Sequence, residues 1–468
     1  MSRLSESVAR VCEFLMSADL SSDQAVKDLL AETTARRHLD LTDLAPAEQA
    51  ELIMSRALQV LPGVDALQKA VTEASDAGRP FIAKFGIDPT SADVHVGHTV
   101  PMLILSRFQR MGHHIVFIVG DMTAKIGDPS GRSTERPALT DEEIATNLAT
   151  YHDQVSPFFD FDRAEFRYNG EWLADVKLPQ LIGILAKIPA SMSLQRDDFR
   201  SRLAEGHGLS MAELLYSVVM ALDSVEVNCD LEIGGVDQLL NMQMCRKVME
   251  VCGQRPELVV THALIEGTDG TGAKMSKSKG NYVALRAPAT EIYGKLMSIP
   301  DQLIVQYLKA LTEWTDTEIG VVEQRRAQES VHPMDLKKVL AGEVAAAVHG
   351  VDAAMSARAE FTAQFSRHTF SDVQSMPTVG RAALTETLGV VLTKALGFLP
   401  SISEARRTAR QNGLRLVVER DGRQDQILLD ESAVYRTVTE LLENLPSGTG
   451  GRGAVVYLKS GRKVARIV

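Results

Sequence analysis

The chain has 468 residues, which is more than one ordinary core holds, and a typical domain size suggests about three packing units. Its composition, 45% apolar and 24% charged, is that of a folded globular protein and excludes the disordered and collagen-like classes. No window approaches the roughly 18 uninterrupted apolar residues of a membrane span, and residues 1–24 carry charges where a signal peptide has an apolar block. We therefore expect a cytoplasmic protein that does not contact a membrane.

The charge is unevenly distributed along the chain. The 50 basic and 61 acidic residues give a net charge of −11. Residues 401–468 contain 12 basic and 8 acidic side chains, a net charge of +4, so the first 400 residues carry −15. A basic tail on an acidic body is typical of a module that faces RNA. Chance combined with a need for solubility explains the charge alone equally well.

The N-terminal part of the chain is predicted to be helical. Over residues 1–45, apolar positions such as Val8, Val11 and Leu15 recur at helical spacing. A second helix is predicted over 46–61, with Pro46 in its first turn.

A strand, a helix and a second strand follow. Residues 80–86 form a short apolar run, 94–111 have helical periodicity and 114–120 form a second buried strand. Later segments fit the same layer, with strands predicted at 165–168 and 258–262 and helices at 210–225 and 237–252. This order predicts an α/β fold with a doubly wound, parallel, Rossmann-type sheet.

The C-terminal third changes character twice. Residues 289–396 are predicted to be consecutive helices, including 335–348. A small α+β unit then follows, with a basic helix at 403–411, strands at 414–419, 426–429, 456–458 and 464–467, a turn at 421–422 and a loop at 447–453. The predicted division is therefore a helical extension (1–45), a catalytic domain (46–285), a helical domain (286–395) and a small α+β domain (396–468).

The first chemical motif is His95-Val-Gly-His98, between the first predicted strand and the following helix. Ligands of open parallel sheets bind beyond the carboxyl ends of the strands, and helix N-termini offer free N–H groups to phosphate. Two imidazoles there can donate hydrogen bonds to phosphate oxygens, and Gly97 leaves room for a flat base. Taken alone, such a histidine pair is more often a solvated or capping pair.

The second motif is Lys274-Met-Ser-Lys-Ser278, which follows the glycine-rich segment 267–272. Two lysines on a mobile loop can close over a triphosphate and neutralise a leaving pyrophosphate. Taken alone, the motif is more often a solvated run of charge. Together, in this order and structural context, the two motifs resemble the paired signatures of class I aminoacyl-tRNA synthetases.

Further segments resemble bacterial tyrosyl-tRNA synthetases, and the resemblance runs from about residue 45 to the C-terminus. They include Phe85-Gly-Ile-Asp-Pro-Thr90, Arg167-Tyr-Asn-Gly-Glu-Trp172 and Ile233-Gly-Gly-Val-Asp-Gln238. Residues 401–468 resemble the S4-type RNA-binding domain that ends this family. That resemblance favours RNA as the partner of the basic tail and implies that Arg406, Arg407 and Arg410 contact it.

The resemblance implies roles for individual residues. Phosphate binding and catalysis are implied for Thr90, His95, His98, Lys274 and Lys277. Contacts to ATP or the adenylate are implied for Asp88, Gly97, Gly235, Asp237, Gln238 and Lys277. The amino-acid pocket is implied to contain Thr123, Asp128, Tyr216, Met220 and Asp223, with Asp223 accepting a hydrogen bond from the tyrosine hydroxyl.

Several of these residues have a plain alternative when considered singly. Asp128 before Pro129 can merely form a turn, Tyr216 can be a helix core residue, and Asp223 can pair with a neighbouring base.

The reaction implied is tyrosine–tRNA ligation. The carboxylate of L-tyrosine attacks the α-phosphate of ATP to give tyrosyl-adenylate and pyrophosphate, and a ribose hydroxyl of tRNA(Tyr) then takes the acyl group. Such chemistry needs positioning and stabilisation of phosphate charge. Mg²⁺ would arrive with ATP, because no cluster of His, Cys or carboxylate residues has the spacing of a protein metal site. The family also implies a homodimer.

Some positions depart from the family pattern. Met220 stands where the family has a glutamine that helps to bind the ammonium group, and a methionine offers no strong donor or acceptor. Leu222 and Val236 replace a usual tyrosine and a small hydroxylated residue, and Lys84 stands where some members place a tyrosine. Two alternatives therefore stay open: a paralogue that adenylates another amino acid or uses another acceptor, and an RNA-binding protein without catalysis.

Overall fold

The architecture is that of a computed structural model, which describes residues 2–130, 139–363, 377–380, 383–410, 413–420, 423–445, 455–460 and 463–467. The chain divides into two compact units, Met1–Phe361 and Thr362–Val468, and each is considered by itself. The four predicted segments do not map one to one onto these units, and the finer division stays a prediction.

The first unit is built on a six-stranded sheet. Its strands are β1 (Gln59–Leu61), β2 (Ile82–Ile87), β3 (His114–Val119), β4 (Ala164–Tyr168), β5 (Leu231–Gly235) and β6 (Leu258–His262). The strand order is β1-β6-β5-β2-β3-β4, and all neighbours are parallel except β1 and β6. β5 and β6 are buried along their whole length because helices cover both faces of a parallel sheet. The predicted doubly wound fold is confirmed.

Helices surround this sheet and extend beyond it. Those up to residue 155 are α1 (Arg3–Ser17), α2 (Asp23–Arg36), α3 (Pro46–Met54), α4 (Val64–Asp76), α5 (Thr99–Arg110), α6 (Asp141–Leu148) and α7 (Tyr151–Val155). Those up to residue 251 are α8 (Gly170–Leu173), α9 (Leu178–Leu185), α10 (Ala190–Ser193), α11 (Asp197–Ala204), α12 (Met211–Val227) and α13 (Leu239–Val251). The remaining ones are α14 (Ala289–Met297), α15 (Ile304–Leu311), α16 (Asp316–Ala327), α17 (Pro333–His349) and α18 (Val351–Phe361). No helix among the described residues is long and apolar enough to cross a lipid bilayer.

In the first unit, two predicted elements differ from the structure, and the strands β1 and β5 were missed. The helix predicted over 46–61 is wrong at its end: α3 stops at Met54, and Gln59–Leu61 pairs antiparallel with the edge of β6. Leu58 N–H donates to the carbonyl of Thr261, 2.6 Å away, so pairing with the sheet overrides the local helical pattern. The N-terminal region forms two helices, α1 and α2, and β5 was not predicted.

The N-terminal helices belong to the core of the first unit. α1 packs against α16, and α2 packs against α17 and α18. Arg36, at the end of α2, makes a bidentate ion pair with Glu318, with contacts of 2.7 and 2.8 Å, and both side chains are fully buried. Thr315 N–H and hydroxyl also donate to Glu318. The N-terminal extension is therefore packed against, and paired by a buried ion pair with, the helices that follow the sheet.

The second unit contains a five-stranded sheet. Its strands are β7 (Thr378–Val379), β8 (Leu414–Arg420), β9 (Arg423–Leu428), β10 (Val455–Ser460) and β11 (Lys463–Ile467), in the order β7-β11-β10-β8-β9. Its helices are α19 (Leu388–Val390), α20 (Ile402–Arg410) and α21 (Val438–Glu443). A separate apolar core joins these elements. The predicted α+β elements are present with slightly different bounds, and the predicted turn at 421–422 and loop at 447–453 lie outside the described residues.

The buried pair of Arg36 and Glu318 gives a stability prediction. Arg36→Leu leaves the Glu318 carboxylate buried without its counter-ion, so we expect the free energy of unfolding to fall by about 3–5 kcal/mol in urea titrations. The matched control is Arg255→Leu, which removes an exposed partner of Glu73 and should cost about 1 kcal/mol or less. Equal losses in the two variants would contradict a structural role of the extension.

Candidate active site

A cleft of about 880 Å³ opens at the carboxyl ends of the central strands. The predicted residues of the catalytic, ATP and amino-acid groups all line it. They are Asp88, Thr90, His95, Gly97, His98, Thr123, Asp128, Tyr216, Met220, Asp223, Gly235, Asp237, Gln238, Lys274 and Lys277. This is the place where open α/β sheets bind ligands. The two motifs, nearly 180 positions apart in the chain, therefore share one cavity.

The two histidines are fixed by the backbone of their own turn. Gly97 N–H donates to Nδ1 of His95, 3.1 Å away, and His95 N–H donates to Nδ1 of His98, 3.3 Å away. The rings stack with their centroids 3.8 Å apart. Because each Nδ1 accepts, each neutral ring carries its proton on Nε2, which is the donor that a phosphate oxygen requires.

Both histidines are neutral at physiological pH. Burial, followed by the charges of Lys277 and Lys274, lowers the pKa of His95 to about 4. Burial and the neighbouring His95 lower the pKa of His98 well below its ordinary value. The pair thus offers neutral hydrogen-bond donors whose protonation does not change near pH 7.

The second motif reaches the first through direct contacts. Lys277 Nζ donates to the hydroxyl of Ser91 and to the carbonyl of Asp93, in the loop before the histidines. Partial burial lowers the pKa of Lys277 to about 8. Lys274 Nζ lies 2.8 Å from Oδ2 of Asp237, at the end of β5. Both lysines therefore lie on the same cleft as the histidines.

Asp88 connects the strand-end loop to the amino-acid residues. Thr123 hydroxyl donates to its Oδ1 over 2.6 Å, and Tyr216 hydroxyl donates to its Oδ2 over 2.9 Å. Tyr216 is both a buried helix residue and a member of the cleft. The predicted adenylate residue and two predicted amino-acid residues thus form one network.

Asp128 belongs to a second network. Its Oδ2 accepts a hydrogen bond from Nε2 of Gln238 over 2.8 Å, and its Oδ1 accepts from Ser130 N–H, so Asp128 forms a turn and also lines the cleft. Asn241 Nδ2 donates to Oε1 of Gln238 over 2.8 Å, and Arg196 donates to Oδ1 of Asn241 over 2.9 Å. The supporting roles of Arg196 and Asn241 were not predicted.

Asp223 lies at a buried end of the cleft. Trp172 Nε1 donates to its Oδ1 over 2.9 Å, and Asn169 Nδ2 donates to its Oδ2 over 3.3 Å. Burial raises the pKa of Asp223 to about 7, although the nearby ammonium group of Lys84 opposes the rise. Neither Trp172 nor Asn169 was predicted as a partner, because both reach Asp223 from the residues that follow β4, about 50 positions earlier in the chain.

A buried charge cluster lies beside Asp223. Lys84 Nζ is 2.6 Å from Oε1 of Glu232, and both side chains are almost fully buried while lining the cleft. Burial alone would lower the pKa of Lys84, but Glu232 and Glu257, with the nearby Cys245 and Cys229, together outweigh burial and hold that pKa well above its ordinary value. Cys229 Sγ donates to Oε2 of Glu257 over 2.7 Å, and burial together with Glu232 raises the pKa of Glu257.

The same cluster tests the expectation that the protein holds no metal of its own. Within the described ranges, Glu232, Cys245 and Glu257 are the one set of His, Cys, Asp and Glu side chains whose ligand atoms come close enough for an ion. Lys84 already supplies a positive charge against this set. The geometry therefore favours an ion pair over a metal site.

The departures from the family pattern fall in different places. Met220 lines the cleft. Leu222 is buried in the apolar cluster with Val116, Ile118 and Trp172, and Val236 is not among the residues that line the cleft. Of these three substitutions, Met220 alone faces the predicted substrate.

The predicted RNA-binding arginines belong to the second unit. All three are on the exposed side of α20, whose Ala405 and Ala409 face the core. Arg410 Nε lies 2.7 Å from Glu431, Arg406 lies 3.3 Å from the same carboxylate, and Arg407 pairs with Glu404 over 2.6 Å. They form a charged surface that neighbouring acids partly neutralise.

Comparison with known proteins identifies the family. Residues 76–366 match the family described as tRNA synthetases class I (W and Y). The tyrosine–tRNA ligase of Thermotoga maritima is 38% identical over 378 residues, which cover 81% of this chain and 92% of that protein. The chain therefore belongs to the class I tRNA synthetases of the tryptophan and tyrosine group, an ATP-using family.

Further relatives are similar to this chain within the tyrosine branch of this group. The tyrosine–tRNA ligase of Dehalococcoides mccartyi is 41% identical over 342 residues, which cover 73% of this chain and 85% of that protein. A C-terminally truncated mitochondrial tyrosyl-tRNA synthetase of Aspergillus nidulans superposes with a TM-score of 0.57 at 21% identity, covering 72% of this chain and 99% of that one. The solved structure supports the fold, and both sequence relatives carry the tyrosine-specific name.

Asp223 makes stability depend on pH with a definite sign. Its carboxyl has an ordinary pKa of 3.8 and a pKa of about 7 in the fold, so between these values only the folded chain holds the proton. From about pH 4 to about pH 7, we expect the free energy of unfolding of the wild type to fall by up to about 4 kcal/mol relative to Asp223→Asn, and then to level off. Urea titrations across this range measure the difference. The exposed Asp175→Asn should run parallel to the wild type, and a parallel curve for Asp223→Asn would contradict the assignment.

Proposed function

We propose that the chain is a tyrosine–tRNA ligase, which activates L-tyrosine with ATP and transfers the tyrosyl group to tRNA(Tyr). The observation that carries this proposal is the convergence of His95, His98, Lys274 and Lys277 on one cleft that also contains Asp223. The tyrosine-specific relatives support the choice of amino acid.

The first half-reaction transfers an adenylyl group. A carboxylate oxygen of tyrosine attacks the α-phosphorus of ATP, the bond from that phosphorus to the bridging oxygen breaks, and pyrophosphate leaves with the electron pair. The neutral Nε2–H groups of His95 and His98 donate to phosphate oxygens, with Thr90 beside them, and the two lysines balance the charge of the pyrophosphate. Mg²⁺ enters with ATP as part of the substrate.

The nucleoside and the amino acid occupy neighbouring parts of the cleft. Asp237 and Gln238 lie at the end of β5, where Asp237 can accept from ribose hydroxyls. Thr123 and Tyr216, which donate to Asp88, and Asp128, which accepts from Gln238, supply oxygen atoms for the α-ammonium group. Asp223 is the acceptor for the phenolic hydroxyl, and its fixed partners Trp172 and Asn169 orient it.

The second unit is proposed to act as an S4-like RNA-binding domain. The alanines of α20, Ala405 and Ala409, belong to the apolar core of this unit, and the helix presents Arg406, Arg407 and Arg410 to solvent. Guanidinium groups on one exposed helix face suit phosphate oxygens.

The second half-reaction transfers the tyrosyl group to the bound tRNA. The ribose hydroxyl at the tRNA end attacks the carbonyl carbon of the adenylate, and AMP leaves.

A homodimer is proposed from the surface of the first unit. Five of its large exposed apolar side chains fall between residues 178 and 211, in or directly after the helices α9 to α12; they are Leu178, Ile182, Leu194, Leu203 and Met211. Apolar residues grouped in this way are typical of an interface between protein chains.

A second candidate keeps the adenylation chemistry but changes the amino acid. Met220 lines the cleft and offers no strong donor or acceptor, and the buried ion pair of Lys84 and Glu232 lies against the same pocket. These two features favour an altered side-chain pocket.

Pyrophosphate exchange with a panel of amino acids tests the proposal. We expect exchange with tyrosine alone. Exchange only with another amino acid would favour the second candidate, and no exchange with any amino acid would indicate an RNA-binding protein without catalysis.

His95→Ala should lower tyrosine-dependent exchange by about 10²- to 10³-fold while leaving tRNA binding nearly intact, because one phosphate donor is lost. Loss of both activities in this variant would contradict the assigned role.

Charge removal on α20 tests the RNA surface. In a variant that combines Arg406→Gln, Arg407→Gln and Arg410→Gln, we expect weaker tRNA binding and a salt dependence reduced by about one unit of slope for each arginine that contacts phosphate. Tyrosine-dependent exchange should stay unchanged. Arg436→Gln removes a charge elsewhere in the same unit, so an equal loss in that control would show a general charge effect.

A further inference from the structure

The cleft contains a third histidine that neither motif includes. His262 is the last residue of β6 and lines the cleft, although only 5% of its surface is exposed. In the parallel pairing of β5 and β6 it lies opposite Gly235, just before Asp237. It therefore lies beside the place where a nucleoside is expected.

The hydrogen bonding of this ring fixes its tautomer. Nδ1 of His262 lies 3.0 Å from the carbonyl oxygen of Ala263. A carbonyl oxygen only accepts, so Nδ1 carries the proton and Nε2 carries the lone pair. Burial lowers the pKa of His262, so the ring is neutral at physiological pH. No described residue makes a hydrogen bond to Nε2, which leaves it as an acceptor available to a ligand.

The surroundings of His262 suit a flat, apolar ring system. A Cβ atom on Gly235 would come within 2.5 Å of Oδ1 of Asp237 and 3.0 Å of Leu264, and one on Gly97 would come within 2.9 Å of the His95 ring. Ile265 and Met275 are joined by a backbone hydrogen bond of 2.8 Å, and Leu264, Ile265 and Met275 all line the cleft. Two positions without side chains and apolar walls leave a slot for a heterocyclic base.

We propose that Nε2 of His262 accepts a hydrogen bond from the exocyclic 6-amino group of the bound purine and so selects adenine over 6-oxopurines. This inference rests on the proposed function only in taking the bound nucleotide to be ATP. The amino group of adenine is a donor and matches a lone pair, whereas a 6-oxo group is an acceptor that faces Nε2 unfavourably. A site that leaves a buried polar group unpaired discriminates strongly against the wrong ligand.

Direct nucleotide binding tests the proposal without a need for the amino acid. Isothermal titration calorimetry on the full chain would compare ATP, inosine triphosphate and 2′-deoxy-ATP. In His262→Phe, which keeps a flat ring but has no acceptor, we expect the Kd for ATP to rise by about tenfold and the preference for ATP over inosine triphosphate to fall by a similar factor. His262→Gln restores an acceptor and should recover part of that preference.

The outcomes separate the possible roles of His262. An equal loss for ATP and inosine triphosphate in His262→Phe would overturn the proposal, because it indicates lost packing. An effect that disappears with 2′-deoxy-ATP would overturn it as well, because His262 would then contact the ribose. The KM for tyrosine in pyrophosphate exchange should stay unchanged. If the wild type does not bind ATP, that result would contradict both the proposed function and this inference.

Discussion

The site depends on a short backbone pairing between the two motif segments. Val96 N–H donates to the carbonyl of Val283 over 2.9 Å, and His95 forms an antiparallel bridge with Ala284. This pairing joins the chain after the lysines to the turn that carries the histidines, so Lys277 reaches the loop before them. Because catalysis of this kind consists of positioning, a few hydrogen bonds between distant segments determine whether the donors face one substrate.

Buried polar groups then hold the pocket in one arrangement. Asp88, Asp128 and Asp223 each accept hydrogen bonds from at least two side or main chain groups of other residues, and the pair of Lys84 and Glu232 lies beside them. In a low-dielectric interior such groups are costly unless they are paired, and the hydrogen bonds to the three aspartates favour one geometry. The pocket is therefore ordered before substrate arrives, and little reorganisation is needed on binding.

Local patterns in the sequence predicted the architecture, and the resemblance to tyrosyl-tRNA synthetases predicted most of the residues of the cleft. The spacing of apolar residues and short apolar runs predicted the strands β2, β3, β4 and β6. Because these strands are parallel, the loops at their carboxyl ends lie close together. β1 and β5 were not predicted, since the first forms only by pairing with β6 and the second lies within a less distinctive run. The roles of Asn169, Trp172 and Arg196 were missed because their partners, Asp223 and Asn241, are far away in the chain. Asn241 and His262 were missed because no local pattern distinguishes them from ordinary helix and strand residues.

The direction in which each motif histidine offers its proton limits the chemistry of the cleft. With Nδ1 of both rings engaged by main-chain amides, neither imidazole has a free lone pair, so neither can abstract a proton from an incoming nucleophile. A carboxylate needs no such help, but a ribose hydroxyl does, and its proton must leave by another route, such as a phosphate oxygen of the adenylate itself. The acyl transfer must therefore find its proton acceptor outside this pair of rings.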